Sequence, residues 1–269
     1  MGDFDAFERE AWAGRAEAYA RSFGLLCAHT VPMLLDAAGV GAGVRVLDVG
    51  TGPGTAAALA VRRGAEVFAV DAEPSMVERA ARAVPEARVQ HALLPELPFA
   101  DGEFDAVVAN FVVNHVGRPA AALAELRRVA GPGGRVAVTI WSAPPAPGQA
   151  LVDQALRAGG AVRPPSVPTL DAEDDFPRTE EGLTGLLTAA GLAGARCTTV
   201  RWDHVVDPEV WWAGRAAGIA TSGQILLAQP PGVVAEVRRH YDELAAQFRT
   251  ADGALSLPHS ALLAWATTS

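Results

Sequence analysis

A glycine-rich segment, LDVGTGPGT at residues 47–55, combines residue types that could bind a nucleotide-like ligand. It continues an apolar run, and its glycines at 50, 52 and 54 let a ligand approach the backbone closely. Nicotinamide dinucleotide sites use the spacing GxGxxG, but the third glycine of that pattern is replaced here by Thr55. Asp48 precedes the first glycine by two residues, and its carboxylate would repel a pyrophosphate and attract an ammonium group. The turn therefore favours a ligand with cationic or neutral parts.

A second carboxylate, Asp71, ends the next apolar run, EVFAVD. An acidic side chain at this place can accept hydrogen bonds from both hydroxyls of a ribose, a contact that adenosyl ligands share. Asp71 therefore indicates an adenosine ribose, whereas the first turn argues against a pyrophosphate. S-adenosylmethionine (SAM) joins adenosine to a charged amino acid, so the two carboxylates together predict a SAM site.

A regular framework must position these residues, and residues 44–141 alternate short apolar runs with Ala-rich segments of helical period. Strands are predicted at VRVLDVG, EVFAVD, ARVQHA, FDAVVANFVV and GRVAVTIW, with helices at 55–63, 74–83 and AALAELRRVA. Such alternation is typical of an α/β fold, in which helices cover both faces of a parallel sheet.

The flanking segments lack this alternation. Residues 4–38 predict two helices; Gly39 ends the second, and Pro32 is a candidate site for a bend in it. The proline-rich, acidic segment 160–178 predicts an irregular loop. The remaining predicted elements are a helix at 179–190, a strand at ARCTTVRW, a helical insert at 207–250 and a last strand at about 260–267.

We expect one compact domain with a lid, divided into three parts. The parts are an N-terminal helical cap (1–40), a SAM-binding core (41–145), and a segment (146–269) that completes the sheet and carries an acceptor-binding helical insert (about 205–250).

Charge and composition argue against several classes of partner. The net charge is −9, every basic residue is an arginine, and no basic stripe is present, so we expect no nucleic-acid partner. No apolar run is long enough to span a bilayer, and the acidic start MGDFDAFERE does not resemble a signal peptide. We therefore expect no membrane insertion and a cytoplasmic location. The two cysteines lack metal-ligand spacing, so we expect no metal.

Four segments resemble, in order and spacing, the motifs of the class I SAM-dependent methyltransferases: VLDVGTGPGT, VFAVDAEPSMVERA, LPFADGEFDAVVANFVVNHV and AGPGGRVAVTIW. The resemblance is strongest over residues 9–141, and to the branch acting on small molecules, the menaquinone- and ubiquinone-type and natural-product enzymes. It implies a Rossmann-like, mostly parallel sheet of seven strands with a reversed final hairpin. It also implies transfer of a methyl group from SAM to a small organic acceptor, with S-adenosylhomocysteine as the second product, in metabolite biosynthesis.

The resemblance assigns residues to the two ends of SAM. Gly50 and Gly52 would let the backbone approach the methionine part, and Asp48 would orient that turn or meet the amino group through water. Asp71 would hold the ribose, and Met76 would pack on adenine. The full set of implied cofactor-binding residues is Tyr19, Asp48, Gly50, Thr51, Gly52, Asp71, Ala72, Met76, Leu93, Leu94, Asn110 and Phe111.

One segment departs from the family pattern. Related sequences usually read Gly-Asp-Ala before Leu-Pro-Phe, with an Asp that binds the adenine amino group, whereas HALLPELPF places Leu93 at that position. Adenine would then be held by backbone groups near Leu93 and Leu94 and by apolar packing. A one-residue slip would instead make His91 the contact.

Two histidines are candidates for proton transfer. His115 follows the fourth strand, where the resemblance places the transferred methyl group, and a neutral imidazole could take a proton from an acceptor hydroxyl. Its alternative role is structural, as a partner of loop backbone. His204, beside Asp203 after the sixth strand, is the second candidate.

Two other functions are alternatives to methyl transfer. One is a SAM-binding protein without methyl transfer, either a cyclase-like catalyst or a regulator. The other is an NAD(P)-dependent oxidoreductase, which Thr55, Asp48 and the lack of any Tyr-xxx-Lys pair disfavour. The acceptor atom stays open between O, N and C, and the pattern predicts no particular oligomeric state.

Overall fold

A seven-stranded sheet lies at the centre of the computed structural model, which describes residues 3–269. Its strands are β1 (Arg45–Val49), β2 (Glu66–Asp71), β3 (Arg88–His91), β4 (Phe104–Asn110), β5 (Ala130–Trp141), β6 (Ala193–Val206) and β7 (Leu255–Thr267). Their order is β3-β2-β1-β4-β5-β7-β6. The first five strands are parallel, whereas β7 is antiparallel to both β5 and β6. The predicted α/β class, with seven strands and a reversed final hairpin, is confirmed.

The central strands form because both of their faces are buried. Alternate residues of β1 and β4 enter different hydrophobic clusters: Leu47 and Val107 lie in one, Val46 and Val108 in the other. All four are fully buried. Continuous apolar runs of this kind are typical of parallel strands with helices on both sides.

The helices are α1 (Asp3–Trp12), α2 (Ala16–Arg21), α3 (Phe23–Cys27), α4 (Val31–Ala37), α5 (Thr55–Arg62), α6 (Pro74–Ala83), α7 (Pro119–Val129), α8 (Leu151–Ala158), α9 (Glu180–Ala189), α10 (Pro208–Ala216), α11 (Ala220–Leu227) and α12 (Pro231–Ala245). One face of the sheet is covered by α7 and α9, and the other by α4 and α5. The helical insert predicted near 205–250 corresponds to α10, α11 and α12.

The N-terminal segment differs from the predicted pair of helices. Gly14, with φ of +69°, separates α1 from α2, and a 3-10 turn at Ala28–Thr30 separates α3 from α4. Pro32 stands in the first turn of α4, where its missing N–H leaves no hydrogen bond unmade, so it does not bend the helix. The breaks make α1 a separate element.

Two further elements differ from the sequence prediction. The helix α8 was not predicted, because Ala150 at its N-cap makes no side-chain hydrogen bond and offers no start signal. Its apolar face, which includes Leu151 and Leu156, is nevertheless buried. The last strand begins at Leu255 rather than near residue 260.

A third hydrophobic cluster lies beside the sheet and joins the N-terminal helices to the C-terminal part. It includes Phe23 from α3, Leu151 from α8 and Trp211 from α10. The division of the chain into three parts at residues 40 and 145 stays a prediction. The cluster contains residues from all three parts. None of the helices in the described part of the chain is both long and apolar enough to cross a membrane.

Candidate functional site

A cavity of about 820 Å³ lies where β1, β2 and β4 end. Its walls include α1, α2 and a segment that we call the strap, residues 163–178. The predicted site residues that line it are Tyr19, Gly50, Gly52, Asp71, Ala72, Met76, Leu93, Leu94, Asn110, Phe111 and His115. Because parallel strands end at the same edge of the sheet, residues far apart in the sequence meet in this one space.

The glycine turn after β1 requires glycine at its first position. Gly50 has a φ of +66°, and a Cβ built on it would lie 2.4 Å from Cγ2 of Val112. Gly52 has a φ of +56° and donates its N–H to Asp71 Oδ2 at 2.7 Å. The turn is therefore left-handed at both glycines, exposes its backbone to the cavity and is tied to the end of β2.

Asp48 and Thr51 lie behind the turn and do not line the cavity. Asp48 is 2% exposed, and its Oδ2 accepts hydrogen bonds from Thr51 Oγ1 (2.7 Å) and from the N–H of Ala57 (3.1 Å) in the first turn of α5. Burial raises the pKa of Asp48 to about 7, against the effect of these two hydrogen bonds. The other oxygen, Oδ1, is buried and has no hydrogen-bond partner among the described residues.

Asp71 stands between the glycine turn and α6. Besides the bond from Gly52, its Oδ1 accepts the N–H of Glu73 at 3.0 Å. Glu73 caps α6 by accepting the N–H of Met76, which brings the buried Met76 to the cavity wall. Each oxygen of Asp71 accepts one backbone bond, so each has a lone pair left for a ribose hydroxyl.

The wall where adenine is expected is apolar. Leu93 and Leu94 are half-buried and line the cavity, as the departure from the family pattern requires. His91 is exposed, and its Nε2 lies 3.0 Å from the carbonyl oxygen of Ala72. The alternative in which His91 contacts adenine is therefore not supported.

The end of β4 is fixed by side-chain bonds and an unusual backbone conformation. Oδ1 of Asn110 accepts the hydroxyls of Thr30 and Thr139 at 2.8 Å and 2.6 Å. The next residue, Phe111, has a φ of +59°, a conformation that non-glycine residues rarely adopt, and its ring stacks on Trp141 at 4.1 Å. Strained backbone of this kind occurs preferentially at ligand sites.

His115 meets α1 at one end of the cavity. Its Nδ1 lies 2.9 Å from Oε2 of Glu8, which also accepts the indole N–H of Trp12 at 3.1 Å. Burial favours the neutral imidazole, but the charge and hydrogen bond of Glu8 outweigh it and raise the pKa of His115. Conversely, burial favours the protonated carboxyl, but His115 and Trp12 outweigh it and lower the pKa of Glu8.

Glu8 and the strap line the cavity, but the sequence patterns did not predict a role for either of them. A signal existed for Glu8, since an acidic residue four positions before Trp12 stands on the apolar face of α1. The strap was predicted to be an irregular loop without a role. In the structure Arg163 donates to the carbonyls of Val167 and Pro168, and Arg178 pairs with Asp175. These bonds within the strap fix its course, and Arg163, Pro168, Asp175 and Arg178 line the cavity.

His204 does not line this cavity, and its role as a second acid–base residue stays a prediction. It lies on β6 with its ring centroid 5.5 Å from that of Trp211, and burial lowers its pKa. Asp203, its neighbour, points to the other side of the strand and lines a different cavity. Within residues 3–269, no three His, Cys, Asp or Glu side chains are grouped so that they could hold a metal ion.

Comparisons with known proteins agree with this geometry. A family model described as a methyltransferase domain matches residues 47–138. The chain is 32% identical over 250 residues to uncharacterized proteins of Mycobacterium tuberculosis and Mycobacterium bovis, covering 87% of this chain and 85% of theirs. It is 42% identical over 118 residues to a demethylmenaquinone methyltransferase of Beutenbergia cavernae, covering 44% of this chain and 49% of that enzyme. The YcgJ protein of Bacillus subtilis has the same fold, with a TM-score of 0.56 and 23% identity over 89% of this chain and 98% of that one.

Proposed function

We propose that this chain, which belongs to the class I SAM-dependent methyltransferases, transfers the methyl group of SAM to a small organic acceptor in metabolite biosynthesis. The observation that carries the proposal is one continuous cavity of about 820 Å³. It joins the glycine turn and Asp71 to an aromatic end that holds His115. Its volume lies in the range of small-molecule sites, roughly 300–1,000 Å³.

The residues on the SAM side fit the cofactor by shape and charge. Backbone at Gly50 and Gly52 is open to the cavity, and Asp71 has lone pairs left for the ribose hydroxyls. Met76, Leu93 and Leu94 offer an apolar wall for adenine. SAM supplies a methyl group already activated on a sulfonium centre, so the protein has mainly to align the acceptor and exclude water.

The acceptor side supports a flat, apolar substrate. The aromatic side chains that line this part of the cavity are Phe4, Phe7, Trp12, Phe111 and Trp141. His115 is a titratable group among them, and in this proposal it accepts a proton if the acceptor must lose one. The strap and α1 would exclude water by covering this end.

The relatives support the substrate class without naming the substrate. The demethylmenaquinone methyltransferase acts, by its name, on a small quinone-type molecule, but its match covers less than half of either chain. The net charge of −9 favours a small molecule over nucleic acid as the acceptor. The cytoplasmic location stays a prediction.

Calorimetry combined with a methyl-transfer assay tests the proposal. We expect SAM and S-adenosylhomocysteine to bind and NAD not to bind, and methyl-labelled SAM to pass its label to a member of a panel of phenols, amines and acidic carbons. An Asp71→Asn variant is the site control and should lose SAM affinity. Binding of NAD without any response to SAM would overturn the proposal. Tight SAM binding with no label transfer to any pool would favour a SAM-binding protein without methyl transfer.

A further inference from the structure

The first helix of the chain delivers a carboxylate to His115 from far along the sequence. Glu8 is 9% exposed, although it lies on the short, terminal helix α1, where a buried carboxylate is costly. Its Oε2 receives two donors, from His115 and Trp12, and the Trp12 ring meets the edge of the imidazole with centroids 5.2 Å apart. A helix that needed only to pack here would use an apolar side chain at this position.

The contact selects one tautomer of the histidine. Because a carboxylate can only accept, Nδ1 of His115 must donate to Glu8. The neutral ring then has its lone pair at Nε2. His115 itself lines the cavity. The arrangement is that of a general base oriented by a second group.

We propose that Glu8 is a positioning residue for His115, and that the pair removes the proton of an acidic hydroxyl, phenol or enol, on the acceptor. The inference rests on the proposed methyl transfer and deepens it. Since α1 carries Glu8, the base is complete only while α1 is docked over the acceptor.

The step conserves atoms and charge. The acceptor O–H bond breaks and its proton moves to Nε2 of His115, while an oxygen lone pair forms the new bond to the methyl carbon. The electron pair of the broken C–S bond stays on sulfur, which becomes a neutral thioether. The imidazolium that forms is stabilised by Glu8 and later returns its proton to water. A neutral amine would not need this base, which is why we assign a hydroxyl.

The charge of Glu8 sets the pH at which the base works. It raises the pKa of His115, so the neutral, proton-accepting ring becomes populated at a higher pH than it would without that charge. Without that charge, burial would dominate and lower the pKa of His115. The other charged residues on elements around the pair line the same cavity and are Asp5, Arg9, Arg118, Arg163, Asp175 and Arg178.

Kinetics of the full chain with a phenolic acceptor from the panel test this pair. The variants are Glu8→Gln, which keeps the shape but removes the charge, His115→Asn, the double variant, and the matched control Glu10→Gln on the exposed face of α1. We expect Glu8→Gln to lower kcat by at least about tenfold. We also expect the acid limb of its kcat–pH profile to move to lower pH and the affinity for S-adenosylhomocysteine to stay unchanged. Glu10→Gln should match the parent protein.

The double variant should lose no more activity than His115→Asn alone, because the two residues act as a unit. Additive losses, or an unmoved acid limb in Glu8→Gln, would overturn the inference and leave methyl transfer intact. If the parent protein binds SAM but methylates nothing, the proposed function fails. NMR titration of His115 then still decides whether Glu8→Gln lowers its pKa. Should Glu8→Gln not fold, Glu8→Asp, whose shorter side chain cannot span the 2.9 Å contact unchanged, takes its place with the same expected shift.

Discussion

At the scale of single residues, two carboxylates hold the glycine turn from different sides. Asp48 accepts hydrogen bonds from Thr51 and Ala57 and so joins the turn to the start of α5, while Asp71 accepts the N–H of Gly52 beside the cavity. The raised pKa of Asp48 shows that burial costs this carboxylate more than its hydrogen bonds return. Such a cost is tolerated where a site needs a fixed acceptor.

The substitution Gly50→Ala separates steric blocking of the turn from backbone strain. The new Cβ would lie 2.4 Å from Val112, and the turn would have to move away from the position that faces the ligand. We expect the affinity for S-adenosylhomocysteine to fall at least about tenfold in calorimetry, which corresponds to about 1.4 kcal/mol. Gly43→Ala is the control, since Gly43 also has a positive φ (+79°) but has no atom within 4 Å of its Cβ position. Equal affinity losses in both variants would contradict the steric argument.

Sequence patterns predicted one end of the site better than the other, for a physical reason. The backbone path favours glycine at Gly50 and Gly52, and the proposed ribose contact needs a carboxylate such as Asp71, so their types and spacing are readable in one sequence. The pairing of Glu8 with His115 joins residues that are distant in the chain, and only the docking of α1 shows it. His204 was predicted from its position near the end of a strand, whereas its ring lies against Trp211 and does not line the cavity.

At the scale of elements, α1 is held by carboxylates rather than by a broad apolar face. Besides the contact of Glu8 with His115, Oδ1 of Asp5 accepts the N–H of Gly117 at 2.6 Å. Both contacts attach the helix to the segment that follows β4, where the acceptor is expected. An element fixed by a few polar contacts can open without unfolding the core.

The substitution Asp5→Ala should therefore loosen α1 alone. We expect faster hydrogen exchange in α1, measured by mass spectrometry, with an unchanged rate in the buried strands β1 and β4. Glu10→Ala, on the exposed face of the same helix, is the control for the loss of one negative charge from α1. Exchange in α1 that does not differ between the two variants would show that Asp5 does not dock the helix.

A helix or strand was predicted well where its own sequence strongly favours that structure. The strands β1, β2 and β4 are buried apolar runs between turns, so their own sequences are enough to predict them. The helix α8 has no capping side chain and follows a proline-rich turn, so its burial against distant helices decides its structure. The strap has no periodicity, and only its arginine contacts fix its course.

At the scale of the whole molecule, the cavity lies between the edge of the sheet and a cover. Segments from the N-terminal and C-terminal halves of the chain form this cover. The cover includes α1 and α2 from the N-terminal part, the strap, and Ala220 and Thr221 from α11. The third hydrophobic cluster supports this cover by joining α3 to α8, α10 and α12. A ligand in the cavity therefore contacts elements from distant parts of the sequence.

Binding of S-adenosylhomocysteine should protect the cavity walls selectively. We expect slower hydrogen exchange in the glycine turn, in residues 92–97 and in α1, because a ligand that fills the cavity opposes their local opening. The helix α12 provides the internal control, since none of its residues lines the cavity. At a ligand concentration of 100 Kd, linkage predicts a gain of about 2.7 kcal/mol in the free energy of unfolding, read as a higher Tm. In Gly50→Ala the same concentration should give a smaller gain. Protection of α12 equal to that of α1 would mean that the ligand stabilises the whole fold and that the cover does not close on the site.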